Sequence, residues 1–231
     1  MMALRRVPPY LVAAALTLCM YSTLGISTSA ADIPGYPESV EGYDSREIYL
    51  LPRYCVYTLT FRRKLPRADT ASEVERLTKE MGPAFGHLHH YCWGLMKTNR
   101  ANLLARTEQD RLYYLRDSLG EFDYVIERAP LDFKLLPEIL TKKGDTLIRL
   151  DRAGEGMLEF ERAIKIKPDY WQAYAAMSDY YKETGQLTKA RESLEKGLSA
   201  APNAKTLKER LAGLDAAHSK RKKDPPAPVG R

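Results

Sequence analysis

Cysteine and histidine are scarce in this chain, with three of the first and four of the second among 231 residues. Neither falls in a CxxC, CxxCH or HExxH pattern, so the spacings that build zinc ribbons, attach haem or form zinc proteases are missing. There is no Gly-rich phosphate loop and no GxSxG nucleophile elbow, and the carboxylates are scattered singly along helical faces. Net charge is also absent from the body of the chain. The formal +6 resides at the two ends, and Asp32–Ala217 carries equal numbers of acidic and basic side chains. Such a balance argues against nucleic acid as a partner, because that affinity is built on neutralising phosphates. The strongly apolar stretch near the start, Tyr10–Tyr21, falls short of the roughly 20 residues that span a bilayer. What is present is 44% hydrophobic residues, enough for a packed core, in a length that suits one or two small domains.

Residues 1–31 read as a cleaved export signal. Arg5 and Arg6 precede the apolar run without any acid, and small residues stand at Ser29–Ala31 or Thr28–Ala30 for a signal peptidase. The short run disfavours an uncleaved anchor, and bulky Leu18 before Cys19 disfavours lipid attachment. The expectation is an exported protein with no stable membrane anchor after cleavage, periplasmic if the source is a Gram-negative bacterium. At the other end, residues 218–231 hold four consecutive basic residues followed by Pro225, Pro226 and Pro228, which predicts a disordered basic tail. Such a run can touch anionic lipid, but solvating a chain end is the simpler role.

Between the ends the sequence repeats with a period of 34. Pro168 and Pro202, Phe160 and Leu194, Leu147 and Tyr181, and Asp145 and Asp179 are each separated by that interval. Each period reads as two helices. Ile139, Leu140, Gly144, Leu147 and Ile148 share one face, and after a turn at Asp151–Arg152 so do Met157, Phe160, Ala163 and Ile164. Trp171, Tyr174, Met177 and Tyr181, a turn at Thr184–Gln186, then Ala190, Leu194 and Leu198 repeat the design. Pro168 and Pro202 end the second helices because proline cannot donate the next backbone hydrogen bond.

These residues resemble the tetratricopeptide repeat family, whose pattern runs from an aromatic, a Leu-Gly pair and a Tyr on the first helix to Ala, Phe and Pro on the second. Lys143, Ser178, Gly156 and Gly197 depart from it without breaking the period. The resemblance implies an all-α solenoid of antiparallel helix pairs over 136–217, closed by a capping helix at Lys205–Ala217. Upstream, 70–135 is expected to hold a degenerate repeat. Its helices would be Pro83–Arg106 and Arg111–Ala129, in register through Ala129 and Ala163, with a further helix at Ala71–Met81 behind a Thr70-x-x-Glu73 capping box. An irregular segment is expected over 32–69, within which Arg53–Arg63 suits a strand or a helix.

The densest chemical cluster is HLHHYC, with His87, His89, His90 and Cys92. On a helix His87 and His90 share a side and would be the first metal ligands to test, although four ligands are needed for a closed zinc site. Three readings stand: a Cys55–Cys92 disulfide natural to an oxidising compartment, two free structural thiols, or a metal- or redox-active site. Cys92 as a nucleophile beside the histidines is opposed by its apolar face. Tyrosine is abundant, and its repeat-core positions favour packing over a carbohydrate-stacking surface.

In the resembled family the first helix of each pair lines a concave groove. Carried over by face, the groove would show Thr141, Asp145, Arg149, Gln172, Asp179 and Lys182, with Asp145 and Asp179 as paired acceptors for a cationic or amide-bearing extended ligand. The acidic pair contradicts the Lys- and Asn-based clamp of some relatives. The resulting expectation is a non-enzymatic adaptor or assembly factor that binds a protein or peptide partner in the cell envelope, with no cofactor. A metal- or redox-binding envelope protein, or a hydrolase or transferase with an unrecognised site, are the alternatives.

Overall fold

The computed structural model describes residues 44–223, which form a succession of helices with no strand among them. The expected export signal at 1–31, the segment up to residue 43 and the end of the tail at 224–231 lie outside the described residues. No described helix is long and apolar enough to cross a membrane.

The described part of the expected irregular segment, from Asp44 on, holds helical turns. Helix α1, Ser45–Tyr49, starts at a capping box in which the Asp44 carboxylate accepts from the Arg46 amide at 2.8 Å and the Glu47 carboxylate accepts from the Asp44 amide. Ile48 is fully buried. Arg53–Arg63 is neither a strand nor one helix: Arg53–Tyr57 is a 3₁₀ turn and Phe61–Lys64 a single turn, α2. With no neighbouring strand to satisfy its backbone, the segment bonds to itself, the Cys55 amide donating to Pro52 O at 2.8 Å.

Helix α3 spans Thr70–Met81, but the expected capping box does not form. Thr70 Oγ1 donates to Arg67 O at 2.8 Å, Glu73 pairs with Arg76, and the Asp69 carboxylate accepts from the Tyr57 hydroxyl at 2.9 Å. Tertiary and local partners have taken the capping groups. Gly82, at φ 67°, turns the chain into a 3₁₀ segment, Gly82–His87, so α4 begins only at Leu88 and ends at Leu103.

From α4 onward the helices pair. Helix α5 (Glu108–Arg128) packs on α4, α7 (Ala153–Ile166) on α6 (Leu136–Arg149), and α9 (Leu187–Ala200) on α8 (Trp171–Glu183). Successive pairs stack through α5 on α6 and α7 on α8, α6 also meets α8, and α10 (Lys205–Lys223) covers α9. The turns fall where the period places them, with positive φ at Asp151 and Gly185. Helix α10 continues past the expected end at Ala217, since no proline or glycine stands between Ala217 and Lys223.

One contact defines the repeat. The Phe160 ring lies against Gly144, where a Cβ would come within 2.5 Å of it, and the Phe122 ring lies against Gly94, where a Cβ would come within 2.3 Å. Phe122 therefore occupies the place of Phe160 and Gly94 that of Gly144, at offsets of 38 and 50 residues rather than 34. The expected anchor, Ala129, is the C-cap of α5 and cannot play the mid-helix part of Ala163. Most of the extra length lies within the pair, where Gly94 and Phe122 are 28 residues apart against 16 for Gly144 and Phe160, and the rest follows α5, in a connection where Phe133 is buried. The core runs unbroken from Ile48 through Phe122, Ile139 and Phe160 to Ala173, and a smaller cluster of Ala175, Leu194 and Leu207 follows.

Candidate partner-binding groove

Aligning Gly94, Gly144 and Ser178 as the small residues of the three first helices stacks their exposed faces in columns. Leu95, Asp145 and Asp179 form one column, and Asn99, Arg149 and Glu183 the next. Both columns line a cavity of about 450 Å³ between α4, α6 and α8. A second cavity of about 410 Å³ continues it towards α10, walled by Thr141, Gln172, Trp171 and Arg210. The two share Lys142, Asp145, Ala176 and Asp179, which makes them one groove.

Five of the six expected groove residues line it, in different capacities. Thr141 is buried wall, its hydroxyl donating to Pro137 O at 2.8 Å within its own helix. Gln172 stands at the α10 end. Arg149 donates to the Asn102 side-chain oxygen, and burial lowers its pKa. Asp179 accepts from Arg210, whose guanidinium also donates to Ala175 O at 3.1 Å. Asp145 sits in both cavities, and burial pushes its carboxyl up to about 6 against the nearby Lys142 ammonium, which favours the ionised form. Lys182 lines neither cavity. It lies one residue before Glu183, about 100° round the helix, and points to solvent. The expected acceptor pair is likewise changed, since Asp179 already has its cation.

Several groove residues escaped the sequence reading. Asn99 and Asn102 become visible once Gly94 is matched to Gly144, because Asn99 then falls at the position of Arg149. Arg210 carries no such signal, because its partner lies 31 residues away on another helix.

This stacking agrees with the comparison with known proteins. Residues 137–170 and 172–204 each match the model of the tetratricopeptide repeat. Over residues 137–204 the chain thus carries two adjacent tetratricopeptide repeats. It is also similar to two curated proteins named protein O-mannosyl-transferase TMTC1, from Homo sapiens and Mus musculus, at 30% identity over 98 residues, or 42% of the chain. The chain spans only 11% and 10% of the length of these relatives.

The histidine cluster lies away from the groove, ahead of the matched tetratricopeptide repeats, and joins α4 to α5. His90 Nδ1 is 2.6 Å from Glu121 Oε2, and its ring stacks on Tyr124 with centroids 3.7 Å apart. Glu121 also accepts from Lys97 at 2.6 Å, and Lys97 reaches Asp117 at 2.8 Å. His89 Nδ1 faces Gly86 O at 3.1 Å, and burial lowers its pKa. His87 is the last residue of the 3₁₀ segment and meets the edge of Tyr124, so the assumed helical pairing of His87 with His90 is not realised. Cys92 is bonded to Cys55 with Cα atoms 5.7 Å apart. The disulfide removes both thiols as ligands or nucleophiles, and among the described residues no three His, Cys, Asp or Glu side chains converge to hold a metal. Cys92 is thereby taken out of the metal- or redox-site alternative at His87, His90 and Cys92 as a free thiol.

Proposed function

We propose that this protein is a non-enzymatic adaptor or assembly factor that holds an extended segment of a partner protein in the groove formed by α4, α6, α8 and α10. Tetratricopeptide repeats mediate protein–protein interaction, and the observation that carries the reading here is the continuity of the two cavities across three first helices and the cap. The three threonines in its wall, Thr98, Thr141 and Thr146, each donate to a carbonyl of their own helix, so none is poised as a nucleophile. The polar lining, largely of exposed or half-buried charges, suits modest and salt-sensitive affinity.

The reading places the protein in the cell envelope after export. The export-signal pattern at 1–31 and the Cys55–Cys92 disulfide, a bond that persists in oxidising compartments, support that location. The test is cross-linking in intact cells from a photoreactive residue at Glu183, an exposed position of the groove lining, with identification of what is captured. One dominant protein partner, lost when Asn99→Trp and Gln172→Trp fill the groove, is the expected result. Capture unchanged by groove filling would assign binding to another face.

A further inference from the structure

Most charges in the groove are answered from within the chain. Glu138 accepts from the Tyr91 hydroxyl at 2.7 Å, Asp179 from Arg210, and Arg149 donates to Asn102. Asp145 differs. Lys142 and Glu183 also lack a bonded partner but are exposed, whereas Asp145 is half-buried at the junction of both cavities and no described residue gives its carboxylate a hydrogen bond or ion pair. Glu138, Lys142 and Arg149 face the groove from its own helix, Asp179 and Glu183 from α8, and Arg210 from α10. Tyr170 adds a phenol, and α4 presents the neutral Asn99 and Asn102. Lys142 is exposed and reaches towards solvent rather than bonding to Asp145.

We propose that Asp145 receives one lysine or arginine side chain of the extended partner segment, a deeper statement of the groove reading on which it rests. Folding has already removed much of the water from this carboxylate, and the cations nearby, Lys142, Arg149 and Arg210, offset that only in part, none of them bonding to it. An incoming cation restores that counter-charge at small further desolvation, whereas a neutral or acidic side chain leaves the carboxylate stranded or repelled. The side-chain oxygens of Asn99 and Gln172 offer further acceptors along the groove, in line with the several donors of a guanidinium.

Protons compete for the same oxygen atoms. With the carboxyl at about 6, Asp145 is ionised at pH 7.5 and mostly protonated at pH 5. Binding a cation favours the ionised form, so affinity falls by roughly tenfold between those two pH values.

The test uses the full chain and two peptides, acetyl-Gly-Ser-Gly-Arg-Gly-Ser-Gly-amide and the same peptide with citrulline, the neutral isostere of arginine. Nuclear magnetic resonance follows the side-chain amides of Asn99 and Gln172 during titration to millimolar peptide. The arginine peptide is expected to shift both amides at pH 7.5. Binding should weaken about tenfold or more at pH 5, with citrulline, and in Asp145→Asn, a change that removes a charge without altering size. Equal binding of the citrulline peptide, retained binding in Asp145→Asn, or unmoved amides would each overturn the proposal. The groove reading is judged separately by the groove-filling cross-linking experiment, since Asn99→Trp and Gln172→Trp leave Asp145 in place.

Discussion

At Gly156 a Cβ would lie 2.7 Å from the Gly144 carbonyl oxygen and 2.8 Å from the Ile148 side chain, so here two helix backbones touch. The family pattern has alanine at this position, and alanine is the better helix former by about 1 kcal/mol. Backbone cannot move aside as a side-chain tip can, and overpacking costs about 1–3 kcal/mol. Gly156→Ala is therefore expected to lower the melting temperature. Gly120 is the control, because it lies exposed in α5 with nothing within 4 Å of an added Cβ. Gly120→Ala should stabilise by about 0.5–1 kcal/mol, and thermal melts of both variants decide the matter. Asp145 gives a second prediction at this scale. Its carboxyl is raised in the folded state from 3.8 to about 6, so the folded protein binds that proton more tightly than the unfolded chain. The penalty is present in full above pH 6 and fades as pH falls towards 4. Asp145→Asn should thus gain about 1–3 kcal/mol relative to the parent at pH 7.5 and almost nothing at pH 4, measured by denaturant melts at both pH values.

Among the elements, the N-terminal turns depend most on contacts distant in sequence. The disulfide ties the 3₁₀ turn at Arg53–Tyr57 to α4 across a sequence separation of 37, and Arg100 on α4 grips Glu47 of α1 through two bonds of 2.7 and 2.8 Å. In the chain-entropy account a loop of that length contributes about 4 kcal/mol. Replacing Cys55 and Cys92 together by alanine should therefore lower global stability by about 3–5 kcal/mol. Hydrogen exchange should accelerate first over Ile48–Phe61 while α6–α9 keep their protection. The same contrast explains what could be read from sequence. Helices α6–α9 carry their own register, because Phe160 and Leu194, and Pro168 and Pro202, repeat at one interval and each helix buries a face defined by local spacing. The α4–α5 pair obscures it, since its longer helices and the Pro130–Leu135 connection put Gly94 and Phe122 at the unequal offsets of 50 and 38. Helix α1 was illegible because its one buried anchor, Ile48, is fixed by tertiary contact. Of the groove, the α6 and α8 faces followed from the period, whereas the claim of Arg210 on Asp179 depends on where α10 docks.

Across the whole molecule, the core is not uniform along the stack. One apolar cluster extends from Ile48 to Ala173, and Ala175, Leu194 and Leu207 form a separate smaller one. In a stacked array each unit is held mainly by its neighbours, so the terminal pair owes much of its stability to the cap. Leu207 is fully buried, and a Cβ at Gly197 would lie 2.7 Å from its side chain, which shows how closely α10 seats on α9. Burial of one leucine is worth about 1.5–3 kcal/mol, and the Arg210 contacts with Asp179 and Ala175 add to it. Deleting residues from Lys205 onward should therefore cost α8 and α9 about 3 kcal/mol, roughly a hundredfold in amide exchange protection. Helices α4–α7 lie within the larger cluster and should lose less than about a third of that figure. Exchange measured helix by helix on the truncated chain separates this gradient from a single cooperative block, in which protection would fall equally from α4 to α9. A gradient would also mean that the cap does two things through one side chain: Arg210 neutralises Asp179 and holds α8 in place, which leaves Asp145 as the acid at the junction of the two cavities still open to a partner.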